Sequence, residues 1–339
     1  KVLGQVLEHL VFDQALKDYA LIRSGRYARL AREHESVIEK TAAPRKIQDV
    51  SPEIAALISG APPADRYPQA GALILSVDER EEITADNKAS TIVHAVIKIL
   101  NERGKERFAE MPFGYDSTDE KVEVEYARTI RPDGTIVDVG SRHMRDVSKY
   151  MNFPLYSNAR VLLISFPEIV EGATIEYKVR IHHYQLVNDK DFVVPYFLQS
   201  AEPVLYERFV LQVPRQRAVR INRYNEQYTT FGAALRSRES DDGVNRLYTW
   251  EFRNVPQIVP EPNMPPEIEI NPAFIVSSFQ DWQSIFDWWS GLARDKIRSD
   301  EAIRTQVREL LKNARTPREK AQALYAFCAQ KIRYVAVEY

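Results

Sequence analysis

Between residues 71 and 255 apolar side chains recur at every second position, and that period constrains the fold more than any other feature of the chain. Val122, Val124 and Tyr126 alternate with Lys121, Glu123 and Glu125. Ile175, Tyr177, Val179 and Ile181 alternate with Glu176, Lys178 and Arg180, and Tyr248, Trp250 and Phe252 repeat the pattern. Such runs are half-buried strands, with one face on a core and the other in water. Pro132-Asp133-Gly134, between Ile130 and Ile136, predicts a hairpin turn, because proline presets φ and glycine accepts the left-handed position. Asp241-Asp242-Gly243 predicts a second. Short strands punctuated by turns, without alternating helices, predict an antiparallel, sandwich-like domain rather than a parallel sheet.

On both sides of this region the period is that of a helix. Leu7, Leu10, Val11, Ala15 and Leu16 form one apolar stripe, and Tyr27, Leu30, Ala31, His34 and Val37 another. A third helix is expected near Pro52–Ser59, before prolines at 62, 63 and 68 break the pattern. Six of the nineteen prolines lie between Pro256 and Pro272, which predicts an extended, stiff connector. Beyond it Trp282, Ile285, Phe286, Trp289 and Leu292 share one helical face, and Ile303, Val307, Leu310 and Leu311 the next. Thr316-Pro317-Arg318-Glu319 has the form of a capping box with proline in the first turn. The helix it opens carries Ala321, Leu324, Tyr325, Cys328 and Ile332 on one stripe and runs into a strand-like end at Tyr339.

The expected class is therefore mainly β with α. A helical segment spans 1–60, an antiparallel β domain 66–255, a proline-rich linker 256–272, and the incomplete start of a helical domain 273–339. The chain starts at Lys1 and stops within a strand pattern, so it reads as a piece of a longer protein. Apolar helix faces at 282–292 and 321–332 would then need cover, and docking or self-association through them is expected.

The chemistry-bearing residues are few. The 46 basic and 48 acidic residues leave a net charge of -2, which gives no field to hold a phosphate backbone and argues against nucleic acid. No apolar run reaches membrane-spanning length. The single cysteine, Cys328, lies late in its helix on the apolar stripe, away from the helix N-terminus that would favour a thiolate, and reads as core. The six histidines show no i, i+4 pair, and His182 and His183 point to opposite faces of a strand, so no metal site and no cofactor is expected. Asp78, Glu79, Glu81 and Glu82 read as a charged strand surface or loop. No glycine-rich phosphate loop is present. Aromatic side chains are the remaining ligand-contact candidates. Tyr224 and Tyr228, with Phe231, lie near a loop, and Trp288 adjoins Trp289, so one of that pair can point outward; ordinary packing is the competing reading.

Several stretches, in order, resemble an uncharacterised β-rich domain of bacterial proteins. They are Asp78-Glu79-Arg80, Lys98 to Gly104, Arg131-Pro132-Asp133-Gly134, and Ile164-Ser165-Phe166-Pro167 with Gly172 and Ile175-Glu176-Tyr177; Glu261-Pro262 with Pro265-Pro266 follows. The likeness covers roughly Gly71 to Phe279. In that family the domain directly precedes a transglutaminase-like domain of the cysteine-protease superfamily, and the tail from Trp282 through Tyr334 is similar to its first helices. The family's nucleophile sits in a Gly-Asp-Cys motif, followed by His and Asp. None of these is in the chain, and Cys328 corresponds to the helix before the motif, so no catalytic residue is assigned. The resemblance implies a non-catalytic module that positions a protein or peptide substrate for a cysteine-dependent acyl-transfer or protease domain, in the periplasm or outside the cell. The alternative is a module without enzymatic activity that binds polysaccharide or a cell-envelope partner. A third reading, an enzyme acting through Cys328, requires a reactive thiol in the folded chain.

Overall fold

The structure is a computed structural model that describes residues 45–150, 158–229 and 235–333. The helical stripes read between residues 2 and 44, Phe231, and the strand-like residues 334–339 lie outside these ranges. The early strands are β1 (Arg45–Lys46), β2 (Ala72–Ile83), β3 (Ala89–Ile99), β4 (Glu110–Asp116), β5 (Glu120–Ile130), β6 (Thr135–Asp138) and β7 (Met144–Ser148). They continue as β8 (Ala159–Ser165), β9 (Thr174–His183), β10 (Val193–Phe197), β11 (Val204–Pro214) and β12 (Arg220–Tyr224). Last come β13 (Arg238–Asp241), β14 (Asn245–Val255) and β15 (Ala273–Ser277). The helices are α1 (Pro52–Ser59), α2 (Glu102–Phe108), α3 (Glu267–Ile270), α4 (Trp282–Arg294), α5 (Glu301–Leu311) and α6 (Pro317–Lys331). The protein is mainly β with α, as the sequence pattern leads one to expect, and α1 falls where its N-terminal Pro52 and capping Ser51 place it.

One large sheet carries the first of two compact units, in the order β1-β6-β5-β9-β3-β2-β11-β14-β13. Two three-stranded sheets, β10-β15-β12 and β4-β8-β7, lie on one of its faces. The β10-β15-β12 sheet packs over β11 and β14 through a cluster that includes Tyr196, Phe209, Trp250 and Phe274. There the Trp250 and Phe274 rings stack with centroids 4.2 Å apart. The β4-β8-β7 sheet packs over β3, β9 and β5 through Phe113, Ile164, Tyr177 and Val179. Ile74 touches both clusters, so the boundary between the small sheets runs over β2. The opposite face is covered at one end by α1, where Val50 and Ile54 meet Leu73, Leu75 and Val96. The layers are thus those of a sandwich whose second sheet is split in two.

The expected turns form as argued. Gly134 has φ +77 between β5 and β6, and its N–H donates to Arg131 O at 2.8 Å. Gly243, at φ +91, closes the β13–β14 hairpin. Among the described residues every strand pair is antiparallel but one. β2 and β11 pair in parallel, with Glu207 opposite Val77 and Phe209 opposite Glu79, because the chain returns to the sheet only after building β3 to β10.

A bulge in β5 corrects the strand reading. The register slips between Val124 and Tyr126, which inserts Glu125 as an extra residue and turns Tyr126 to the face away from Val122 and Val124. Ala127 takes the core position instead. A matching slip between Ile74 and Ser76 changes the phase of β2.

The proline-rich stretch folds within the first unit, which runs to Ser278 and includes β15. The second unit holds the helices from Phe279 onward. Asp281 and Asp300 accept N–H donors from the first turns of α4 and α5, and the capping box expected at Thr316 forms at α6, with Glu319 completing it. Their apolar faces stay open, with Trp282 84 % and Trp289 61 % exposed, and Phe286, Leu292, Ile303, Tyr325 and Ile332 also exposed. Cys328 is exposed too, contrary to its reading as core, because among the described residues Tyr325 and Ile332 of its stripe are left uncovered with it.

Candidate functional site

The phase change in β2 brings two carboxylates to the seam between the small sheets. Beyond the bulge Val77, Glu79, Glu81 and Ile83 share the face on which the small sheets sit, so Glu79 and Glu81 belong to the interior side and not to a charged surface. Glu207, next to Val77 across the parallel pair, is 5 % exposed and faces the same seam. Tyr196 reaches it from β10, and Tyr177 from β9. Burial pushes the Glu79 carboxyl up to about 7, with Glu81 adding to the rise. It pushes Glu81 up to about 7 against the opposing pull of His183. Glu207 rises to about 8, through burial and the Glu79 charge, although the Tyr196 hydroxyl draws it down. Its Oε2 has no hydrogen-bond partner among the described residues. Tyr177 goes up to about 12 by burial first and the Glu79 charge second. Burial thus moves all three carboxyls toward the range that suits acid–base work near neutral pH. Residue identity hid them, but the phase did not: Val77-x-Glu79-x-Glu81-x-Ile83 is a period-two run with acids at its interior positions.

At the far end of the same face lies a chain of polar contacts. His183 Nδ1 is 2.8 Å from Glu120 Oε1, and His183 Nε2 is 2.9 Å from Thr91 Oγ1. The order carboxylate–imidazole–hydroxyl is that of an activated nucleophile with its base and orienting group. Thr91, however, is 8 % exposed in a central strand, so an acyl carbon has no approach to its oxygen. The chain ties β5, β9 and β3 together, and the hydrogen bond with His183 holds Glu120 below the usual carboxylate range.

The other face of the large sheet is polar and fully paired around Glu176, whose carboxylate is buried. His94 Nε2 lies 3.0 Å from its Oε1, the Tyr126 hydroxyl donates at 3.0 Å, and Arg128 Nε donates to Oε2 at 2.7 Å. Burial alone would raise this carboxyl, but His94, Arg128 and Tyr126 together outweigh it and hold it below its ordinary value. Such a satisfied centre is structural.

Tyr224 ends β12 and Tyr228 closes the following turn; they are 44 % and 47 % exposed. Asn225, at φ +59 between them, donates from its side chain to Ile268 O and Asn271 O at 2.9 Å and so fixes this corner. Across the outer face of the small sheet Tyr224 pairs with Ala273, and Ala273 with the exposed Phe197, so an aromatic stands on each side of one alanine. Trp288 belongs to the second unit, half-buried with its ring 6.0 Å from that of Phe279, while Trp289 points outward. Two cavities flank the run after β14. One, of about 370 Å³, takes Gln257 and Val259 into its wall, and the other, of about 300 Å³, takes Ile258 and Pro260. Among the described residues no cluster of His, Cys, Asp and Glu has metal-binding geometry, and no helix is long and apolar enough to cross a membrane.

The sequence profile of DUF3857, a domain of unknown function with a solved structure, matches residues 85–259. The chain belongs to this family. Residues in the matched region that the resemblance singled out have visible structural jobs. Asn101 caps α2, accepting from Gly104 N at 3.3 Å and donating to Ala70 O at 2.8 Å. Gly104 approaches Gly71 so closely that a Cβ would lie 1.9 Å from Gly71 O. Gly172, at φ +80, turns the chain into β9. No curated protein matches the chain in sequence. Among solved structures, a putative protease from Parabacteroides distasonis has the same fold, at 16 % identity and a TM-score of 0.66. The match covers 77 % of this chain and 50 % of that one, so the chain spans about half the length of that protein. An M1 zinc metallopeptidase from Deinococcus radiodurans aligns over 61 % of this chain and 42 % of its own, at 11 % identity and a TM-score of 0.31.

Proposed function

We propose that the β unit is a non-catalytic module that positions a protein or peptide substrate for a transglutaminase-like, cysteine-dependent acyl-transfer or peptidase domain, whose first helices are α4 to α6. The observation that carries this reading is the open apolar face of α4. Trp282, Phe286, Trp289 and Leu292 recur at three- and four-residue spacing and remain exposed, which is the pattern of a helix made to be covered by a larger body. The likeness of the tail to the opening of a transglutaminase-like domain supplies that body, and the protease-like structure, only half of which the match covers, is in keeping with it. In such a protein a thiolate outside this chain attacks the amide carbonyl, a histidine takes and returns the proton, and an aspartate orients it. The fixed corner at Tyr224 and Tyr228 offers exposed aromatic surface for an extended peptide.

The test compares this chain with the product of its full reading frame on peptide-amide hydrolysis and amine incorporation. Turnover by the longer product alone, abolished by iodoacetamide, is expected. Replacing both Tyr224 and Tyr228 by Ala should raise KM with little change in kcat. Turnover by the present chain, or turnover by the longer product that survives alkylation, would refute the reading. Saturable glycan binding lost with the same two substitutions would favour the polysaccharide module instead.

A further inference from the structure

The cavity of about 370 Å³ beside Arg66 has the size, lining and charge of a ligand site. Its volume falls at the lower end of the range of small-molecule pockets, about 300–1,000 Å³. Pro68, Pro203 and Pro256 build its walls, and their fixed φ makes the shape preformed rather than induced. Tyr67, Val255 and Val259 add apolar surface. Asn254, at φ +53, bends the end of β14, and the Gln257 side chain then donates to Gln69 O at 3.3 Å, joining the two sides of the cavity. The left-handed conformation is one that Asn tolerates better than other non-glycine residues, and such bends are held only where surrounding structure determines them.

Arg66 is the one charged residue in this lining. It ends the short turn Ala64–Arg66, is exposed, and has no ion pair or side-chain hydrogen bond among the described residues. Most other arginines of the first unit's sheet faces are paired, as Arg128 is to Glu176 and Arg208 to Asp78. A planar guanidinium left free at the mouth of an apolar cavity matches a single planar anion attached to an apolar group. A phosphate, with more charge and stronger hydration, would gain nothing from the apolar walls.

We infer that this cavity binds a carboxylate carried on an apolar body, such as the free C-terminus of a peptide that ends in a branched aliphatic residue. Arg66 receives the carboxylate, and the proline and valine walls take the side chain. The site stands whether or not the chain serves an acyl-transfer domain, and its test does not depend on turnover.

Calorimetric titration of the present chain with N-acetyl-leucine, and with N-acetyl-leucinamide as the uncharged control, tests the site. Hydrogen bonds to charged groups predict that the acid binds about tenfold to a hundredfold more tightly than the amide. Arg66→Gln should remove that preference, and Val259→Trp should abolish binding of both by filling the cavity. Both positions are exposed, so the variants are expected to fold, which circular dichroism and the wild-type Tm verify. Equal affinity for acid and amide, binding unchanged in Arg66→Gln, or no saturable heat at millimolar acid would each overturn the inference.

Discussion

Replacing Glu207 by Gln should make the first unit more stable at alkaline pH and flatten its dependence on pH. The carboxyl is buried at the seam, its Oε2 lacks a partner among the described residues, and the Glu79 charge adds to the effect of burial. Its value rises from 4.5 to about 8, so between these limits the folded chain binds more protons than the unfolded chain. Stability is therefore full below pH 4.5 and falls as the pH rises through about 8. At about 1.4 kcal/mol per tenfold the loss is capped near 5 kcal/mol, and relaxation and water entry should bring it to roughly 2 kcal/mol. Glutamine keeps the shape and stays neutral. Urea unfolding followed by tryptophan fluorescence, from about pH 5 to about pH 9, should show a steep fall for the wild type and a shallower one for the variant. Glu79 and Glu81, each pushed up to about 7, keep the variant's curve from becoming level. Parallel curves for the two proteins would refute the assignment of Glu207 as a buried neutral acid.

Three further outcomes are expected. Gly104→Ala should cost more than about 3 kcal/mol or prevent folding, since the new methyl would occupy the position of Gly71 O; a Tm within a few degrees of wild type would contradict that geometry. Phe274→Ala should destabilise by about 3–5 kcal/mol in urea, because it removes the ring stacked on Trp250 in the densest aromatic cluster. Cys328 should label fully with a maleimide in the absence of denaturant, whereas protection released only by urea would mean that α6 is covered in solution.

The alternation that identified the strands was legible because burial on one face imposes it residue by residue. Tyr248, Trp250 and Phe252 are all buried, as their spacing requires. The turns at Gly134 and Gly243 were equally legible, since a positive φ selects glycine. A bulge leaves no comparable mark. Nothing in Val124-Glu125-Tyr126 announces the extra residue, so the face of Tyr126 could not be read, nor its bond to Glu176. Glu79 and Glu81 were misplaced for a related reason: their interior position follows from the phase of β2, and a run rich in acids looks like surface. The cavity at Arg66 is assembled from three separated stretches, and no local pattern records which stretches meet.

The single parallel pairing has a consequence for how the chain comes to be folded. Asp78 and Arg208, joined across β2 and β11, are 130 residues apart in sequence. If the β2–β3 hairpin forms as soon as its residues are made, one side of β2 is bare until β11 follows. A long bare strand edge invites pairing with another nascent chain. Charged side chains at Asp78, Glu79, Arg80, Glu81 and Glu82 line the waiting strand, and in water they oppose a wrong partner before the seam closes. Glu79 and Glu81, which carry an energetic cost in the finished sheet, would then oppose wrong pairing during synthesis, and a chain with neutral residues in their place should yield a more stable product but less of it.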